Sequence, residues 1–203
     1  MPPNPASAAR SVHWLPDTGG DGWRCFEFSS RGDRQVAGLS SPDEPAPHAL
    51  ALALGPESAA IEAIPGLATL TLDLPLLGVR GSPKWSERLG RCLAQGPQGS
   101  TDEALLEEFL CQAASDVGAV LDVCGGIPEL AGGRAGLLGL GPGALVGARL
   151  RGTEPRLSAF ALSPAGLPPE LDLGESLGAR NEPPFWLVED VDAGAARLRE
   201  ALV

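Results

Sequence analysis

Histidine is nearly missing from this sequence: His13 and His48 are the only two in 203 residues, and none follows them. The last three-quarters of the chain therefore lacks the side chain most used as a general base near neutral pH. The four cysteines, Cys25, Cys92, Cys111 and Cys124, form no C-x-x-C pair and have no histidine at ligand spacing, so no zinc site is expected. Positive charge is also thin. Fifteen Lys and Arg face 26 Asp and Glu, and the net charge of −11 disfavours phosphate backbones and anionic lipid as partners. No apolar run approaches the roughly 20 residues that a spanning helix needs. Met1 to Arg10 shows no basic stretch followed by an apolar one, so a cytoplasmic location is expected.

What remains is an ordinary globular balance, 43% hydrophobic and 20% charged, with 27 Gly and 20 Pro. The bias to Ala, Leu and Arg points to a GC-rich bacterial genome. The length suits one α/β domain over residues 21–203 behind a loose segment over residues 1–20.

Short apolar runs alternate with turn signals along that domain. Gly22 to Ser29 and Gln35 to Leu39 read as two strands around Ser30-Arg31-Gly32-Asp33, a hairpin. His48 to Leu54 and Ala68 to Leu74 are two more, the latter stopped by Pro75. Ser100 and Glu103 form a capping-box pattern before Leu105, Phe109, Ala113, Val117, Val120 and Cys124, a helical repeat that Gly125-Gly126 ends. In this pattern Cys111 and Cys124 read as small buried hydrophobes. Gly136 to Leu140 is a buried strand leading into a helix over Ala144 to Leu150. Leu157 to Leu162 and Phe185 to Val188 are strands, and Ala193 to Leu202 is an amphipathic helix. A leading hairpin, then apolar strands alternating with helices, predicts a mostly parallel sheet covered on both faces.

That order resembles the α/β hydrolases, and the dienelactone-hydrolase-like group in particular. The hairpin and Pro-rich loop up to Gly55 resemble the family's opening. Asp73, Pro75, Gly78, Arg80 and Gly81 are similar to its D-x-P-x-x-G-x-R-G continuation. GRAGLLGLGPGALVG sits where the family places its nucleophile elbow, and FWLVEDVDAGAARLREAL where a strand delivers the triad acid. The resemblance covers roughly residues 22 to 203 and implies an α/β-hydrolase-like fold, shortened after the last helix relative to the family.

The same alignment implies a missing triad. An active member carries G-x-S-x-G at the elbow. Here the five residues are Gly139-Leu140-Gly141-Pro142-Gly143, with Gly141 at the nucleophile position and Pro142 lacking the N–H that would follow it. The family's oxyanion-side His-Gly is Leu54-Gly55. Asp190 or Asp192 stands at the acid position, and no histidine follows to act as base.

Other patterns are weaker. GLGPG lacks the Lys-Ser/Thr of a phosphate-binding loop and the spacing of a dinucleotide one, so it reads as a tight turn. Cys25 and Cys92 have no base near them in sequence, and His48 reads as structural. Arg80, Lys84, Trp85, Arg88 and Arg91 concentrate positive charge, either to hold an anion or as a solvated face. The expectation is a non-catalytic hydrolase-like protein without metal or cofactor, acting by association as a homodimer or with a protein partner. Its vacated pocket is expected to be partly filled by Leu54, Leu140 and Pro142. The alternative is an enzyme or small-ligand binder using different residues in a pocket over Gly55, Gly141 and Asp190.

Overall fold

The computed structural model describes residues 12–16, 22–56, 61–130, 132–169, 171 and 183–203. The expected hairpin is present, as β2 (Trp23–Ser30) and β3 (Asp33–Ser40), paired antiparallel from Trp23↔Ser40 to Ser30↔Asp33. Its two-residue turn holds Arg31 at φ 52° and Gly32 at φ 86°. Two positive φ values in a row match the right-handed twist of the strands. A short β1 (His13–Trp14) pairs with β2, so this part of the expected loose segment is a sheet edge. Trp14 is held there by an edge-on contact with Phe26 (5.4 Å between centroids) and by Arg24 stacked over its ring (4.3 Å). Residues 1–11 and 17–20 of that segment lie outside the described residues.

The remaining strands are β4 (Leu50–Leu54), β5 (Ala68–Leu72), β6 (Ala135–Leu140), β7 (Leu157–Ser163) and β8 (Phe185–Leu187). The eight make one sheet in the order β1-β2-β3-β5-β4-β6-β7-β8, antiparallel up to the β3–β5 pair and parallel from there on. This is the mostly parallel α/β-hydrolase-like fold with a leading antiparallel hairpin that the sequence predicted.

Helices α1 (Pro83–Gln95), α2 (Ser100–Cys124), α3 (Pro142–Leu150) and α4 (Val191–Leu202) cover the sheet. Alternation along the central strands sorts side chains by size. Leu50, Leu52, Leu54, Leu137, Phe160 and Leu162 join the large cluster under α2 and α3. Ala51, Ala53, Ala159 and Ala161 face the other way and meet Leu198 and Leu202 of α4. Period-two alternation of large and small thus gives a thick core on one face and a close-packed helix on the other.

Two local expectations need correction. Ser100 is not a cap: it lies inside α2, whose N-cap is Gly99, and no side chain caps there. Asp102 serves the turn instead, accepting from the Gln98 N–H (3.0 Å) and from Arg88 Nε (2.6 Å). Cys111 is half-buried rather than buried, and its thiol lies 3.3 Å from Glu107 Oε1 and 3.2 Å from Arg149 Nη2.

The basic stretch is a helix that the sequence reading left open. Leu89, Cys92 and Leu93 of α1 are buried. Three of the four cations pair within the chain, Arg88 with Asp102 and Arg91 with Glu87 on the helix and Arg80 ahead of it with Asp116, while Lys84 lies over the Trp85 ring (5.2 Å). Arg156 plays a similar part beyond α3. It donates to Glu154 Oε2 (2.6 Å), Asp122 Oδ1 (2.5 Å) and the Gly118 carbonyl (3.1 Å), tying the start of β7 to α2.

The Arg156 guanidinium holds the buried Glu154 carboxyl below its ordinary value of 4.5, with desolvation opposing. A carboxyl whose folded value is depressed stabilises the fold fully above its unfolded value and loses that contribution as pH falls through the folded one. Unfolding midpoints in urea are therefore expected to hold steady above pH 4.5 and to drop below it. Glu154→Gln should flatten part of that acid limb; an unchanged limb would show that this pair plays no part in it.

Candidate functional site

The chemistry expected of this fold belongs at the carboxyl ends of the parallel strands. Strand β6 ends at Leu140, and Gly141 takes φ 51° and ψ −115° before α3 starts at Pro142. That backbone region is nearly closed to residues with a Cβ. The turn is held by the Gly141 N–H donating to the Ser163 carbonyl (2.8 Å) and the Ala144 N–H donating to the Gly141 carbonyl (2.9 Å). The outer glycines are demanded by crowding. A Cβ on Gly139 would sit 2.8 Å from the Gly143 carbonyl carbon, and one on Gly143 would sit 2.7 Å from that of Leu54. The elbow backbone is therefore present in full around a residue with no side chain.

A cavity of about 890 Å³ lies over this turn. Gly55, Gly141, Pro142, Asp190 and Asp192 all line it, so five of the six positions singled out by sequence converge on one place. Leu54 does not. It is fully buried in the cluster under α3, because the strand alternation points it away from the cavity. The expectation of a pocket partly filled by Leu54, Leu140 and Pro142 fails for Leu54. Leu54 is committed to the core, while Leu140 and Pro142 form wall rather than filling. Described residues of the loops after β4, β7 and β8, among them Ile61, Ala165 and Glu189, line the space.

The walls are largely apolar, with Ile61, Ile64, Leu140, Val191 and Ala195 among them. Sequence reasoning passed over Ile61, Ile64, Ser163, Glu62 and Glu189. Their one available signal was position, at a strand's carboxyl end or in the loop after it. Ser163 is buried, and its hydroxyl donates to the Glu189 carbonyl (3.3 Å) rather than to a base. Asp190 caps α4, its Oδ1 accepting from the Ala193 N–H (2.8 Å). That bond explains why this loop carboxylate is where it is without any partner imidazole.

Neither histidine lines the cavity. His48 is buried just ahead of β4, at the opposite end of that strand, and His13 lies 3.1 Å from Glu27 on the β1 edge. No cysteine lines it either. Burial pushes the Cys124 thiol up to about 12, and burial next to Asp102 raises Cys92, so neither is a ready thiolate. Pro142 lines the cavity directly after Gly141 and, as a proline, has no N–H to offer at the place where an oxyanion would draw on the residue that follows the nucleophile. Among the described residues no group of three His, Cys, Asp or Glu could hold a metal ion, and no helix is long and apolar enough to cross a membrane.

Comparison with solved structures places the fold among the α/β hydrolases. The chain is similar to a cold-adapted esterase from an Arctic intertidal metagenomic library, in its PEG-bound form, with TM-score 0.61 and 15% identity over 94% of this chain and 99% of that one. The native form of that esterase gives TM-score 0.54 at 17% identity over the same shares. Acetyl xylan esterase 1 from Thermoanaerobacterium sp. gives TM-score 0.50 at 17% identity, covering 75% of this chain and 52% of that one. At such identities the likeness is one of fold. No family model matches the chain, and no curated protein matches it in sequence.

Proposed function

We propose that this chain is a non-catalytic α/β-hydrolase-like protein that binds a small ligand in the cavity over Gly141. The observation that carries this reading is an elbow whose backbone is intact and whose cavity is open, yet whose lining includes no histidine, no cysteine and no side chain at the nucleophile position. A turn kept in a costly conformation, under a cavity of ligand size, supports a binding role. Loss of the reacting groups supports the absence of acyl transfer.

The test is covalent labelling. A fluorophosphonate probe is expected to leave the protein unmodified by intact mass, and activated esters to turn over no faster than a general protein background. Triad removal in true hydrolases leaves roughly 10³- to 10⁴-fold over water, so slow turnover alone decides nothing. Stoichiometric labelling of one serine, with loss of turnover, would establish a hydrolase working through a different nucleophile.

A second reading, self-association, is favoured by the far edge of the sheet. Among the described residues β8 pairs with β7 alone, and Leu187 on it is 59% exposed. An edge with unpaired N–H and C=O groups can accept a further strand, and a two-fold pair is the commonest outcome. Trp186 weakens the case, because it is half-buried against its own chain's α4-side cluster. Light scattering at micromolar concentration is expected to give twice 20.8 kDa, and a clean monomer would remove this reading.

A further inference from the structure

Among the described residues the ionised side chains around the cavity are all of one sign: Glu62, Glu189, Asp190 and Asp192 line it, and no lysine, arginine or histidine does. Among the described residues none of these four carboxylates forms an ion pair. Elsewhere Arg34, Arg80, Arg88, Arg149 and Arg156 pair with Glu27, Asp116, Asp102, Glu107, and both Asp122 and Glu154. Four carboxylates with no counter-charge among the described residues, around one apolar hollow in a chain already at −11, make a negative field that low-dielectric walls concentrate inward. The same carboxylates are not grouped closely enough to hold a metal ion. A bulky charge, spread over a larger radius and attached to an apolar body, suits that spacing where a small divalent ion does not.

Resting on the reading of this cavity as a ligand site, we propose that its occupant is an amphipathic cation: an apolar body of up to several hundred Å³ carrying a protonated or quaternary amine. The body lies against Ile61, Ile64, Leu140 and Ala195, and the ammonium faces the carboxylates of Glu62, Glu189 and Asp192. Apolar contact supplies most of the affinity, and the charge selects among ligands of equal size. Anionic ligands, including the carboxylate products that an esterase would release, are repelled.

The experiment titrates the full chain by calorimetry with three probes of one chain length, each below its micelle concentration: decyltrimethylammonium, decanol and decanoate. One molecule per chain is expected to bind. The cation should bind on the order of tenfold tighter than the alcohol at low salt, since several exposed charges each contribute a fraction of a kcal/mol, and decanoate should be weakest. Raising the salt should shrink that preference. Glu62→Gln with Asp192→Asn, both at exposed positions, should remove most of the preference and leave decanol unchanged. Ala165→Trp, exposed on the cavity wall, should weaken all three. If alcohol or carboxylate binds as tightly as the cation, charge selection is overturned while the cavity remains a ligand site. If the cation binds at many places and ignores Ala165→Trp, it is reading the acidic surface at large and the proposal also fails. If none of the three binds, the cavity is no apolar ligand site and the proposed function falls with it.

Discussion

Gly143→Ala is expected to destabilise the protein by about 4 kcal/mol or more, whereas Gly141→Ser, two residues away, should cost only about 1–3 kcal/mol. The two positions fail for different reasons. At Gly143 a Cβ would be driven into the Leu54 carbonyl, which is backbone at the end of a fully buried strand and cannot retreat. Relief would require α3 to lift away from β4 and open the core between them. At Gly141 the nearest atom to a new Cβ is the Ala165 carbonyl oxygen at 3.4 Å, close but tolerable, so the cost is that of the positive φ alone. With about 5–15 kcal/mol holding a domain of this kind, the first substitution should yield little folded protein and the second a well-folded one. Urea midpoints of the two variants check the order. The reverse order would mean that α3 is not seated on β4 as described. Gly141→Ser carries a further expected result. Even with a hydroxyl at the elbow it should gain no esterase activity, because no histidine lines the cavity to take its proton.

The second large effect is expected at the Arg80–Asp116 pair. Asp116 is 2% exposed on α2 and Arg80 is 15% exposed on the loop after β5, with Nη1 2.6 Å from Asp116 Oδ2 and 2.9 Å from the Asp73 carbonyl. Asp116→Ala removes the charge that compensates a guanidinium already withdrawn from water, and should cost about 3 kcal/mol, the lower end for a broken buried pair. Replacing both partners, Arg80→Met with Asp116→Leu, should recover most of that loss, since the desolvation cost disappears with the charges. A double-mutant cycle on thermal or urea unfolding gives the coupling directly. If the double variant is as unstable as the single one, the pair acts through packing rather than charge.

The order of elements was legible because it rests on local patterns. Strand β4 reads LALAL and β7 reads LSAFALS, and period-two alternation is visible in one dimension. The elbow was legible for a similar reason. G-x-G-P-G needs its outer glycines under any fold that turns a strand into a helix there, and the missing histidine is a fact of composition. Helix α1 was harder to see, because Leu89, Cys92 and Leu93 sit among Arg and Glu that looked like a solvated face. The burial of those three depends on the neighbours that the chain brings to them, not on their own spacing. The capping pattern at Ser100 misled by one residue for the same kind of reason. Gly99 at φ 97° and the Asp102–Arg88 bond between two helices decided where α2 begins.

The sequence by itself determined the kind of sheet, the position of the elbow, the glycine at its centre and the lack of any histidine after residue 48, since each is a property of residue type and spacing along the chain. Only the tertiary structure decided that the pocket stays open, that Leu54 belongs to the core and that Asp190 caps a helix. It alone brought the carboxylates of Glu62, Glu189, Asp190 and Asp192 to one opening. Those residues come from the loop after β4, from the loop between β8 and α4 and from the first turn of α4, so distant parts of the sequence meet there. An empty volume is what the loops after several strands leave between them, and no single segment encodes it.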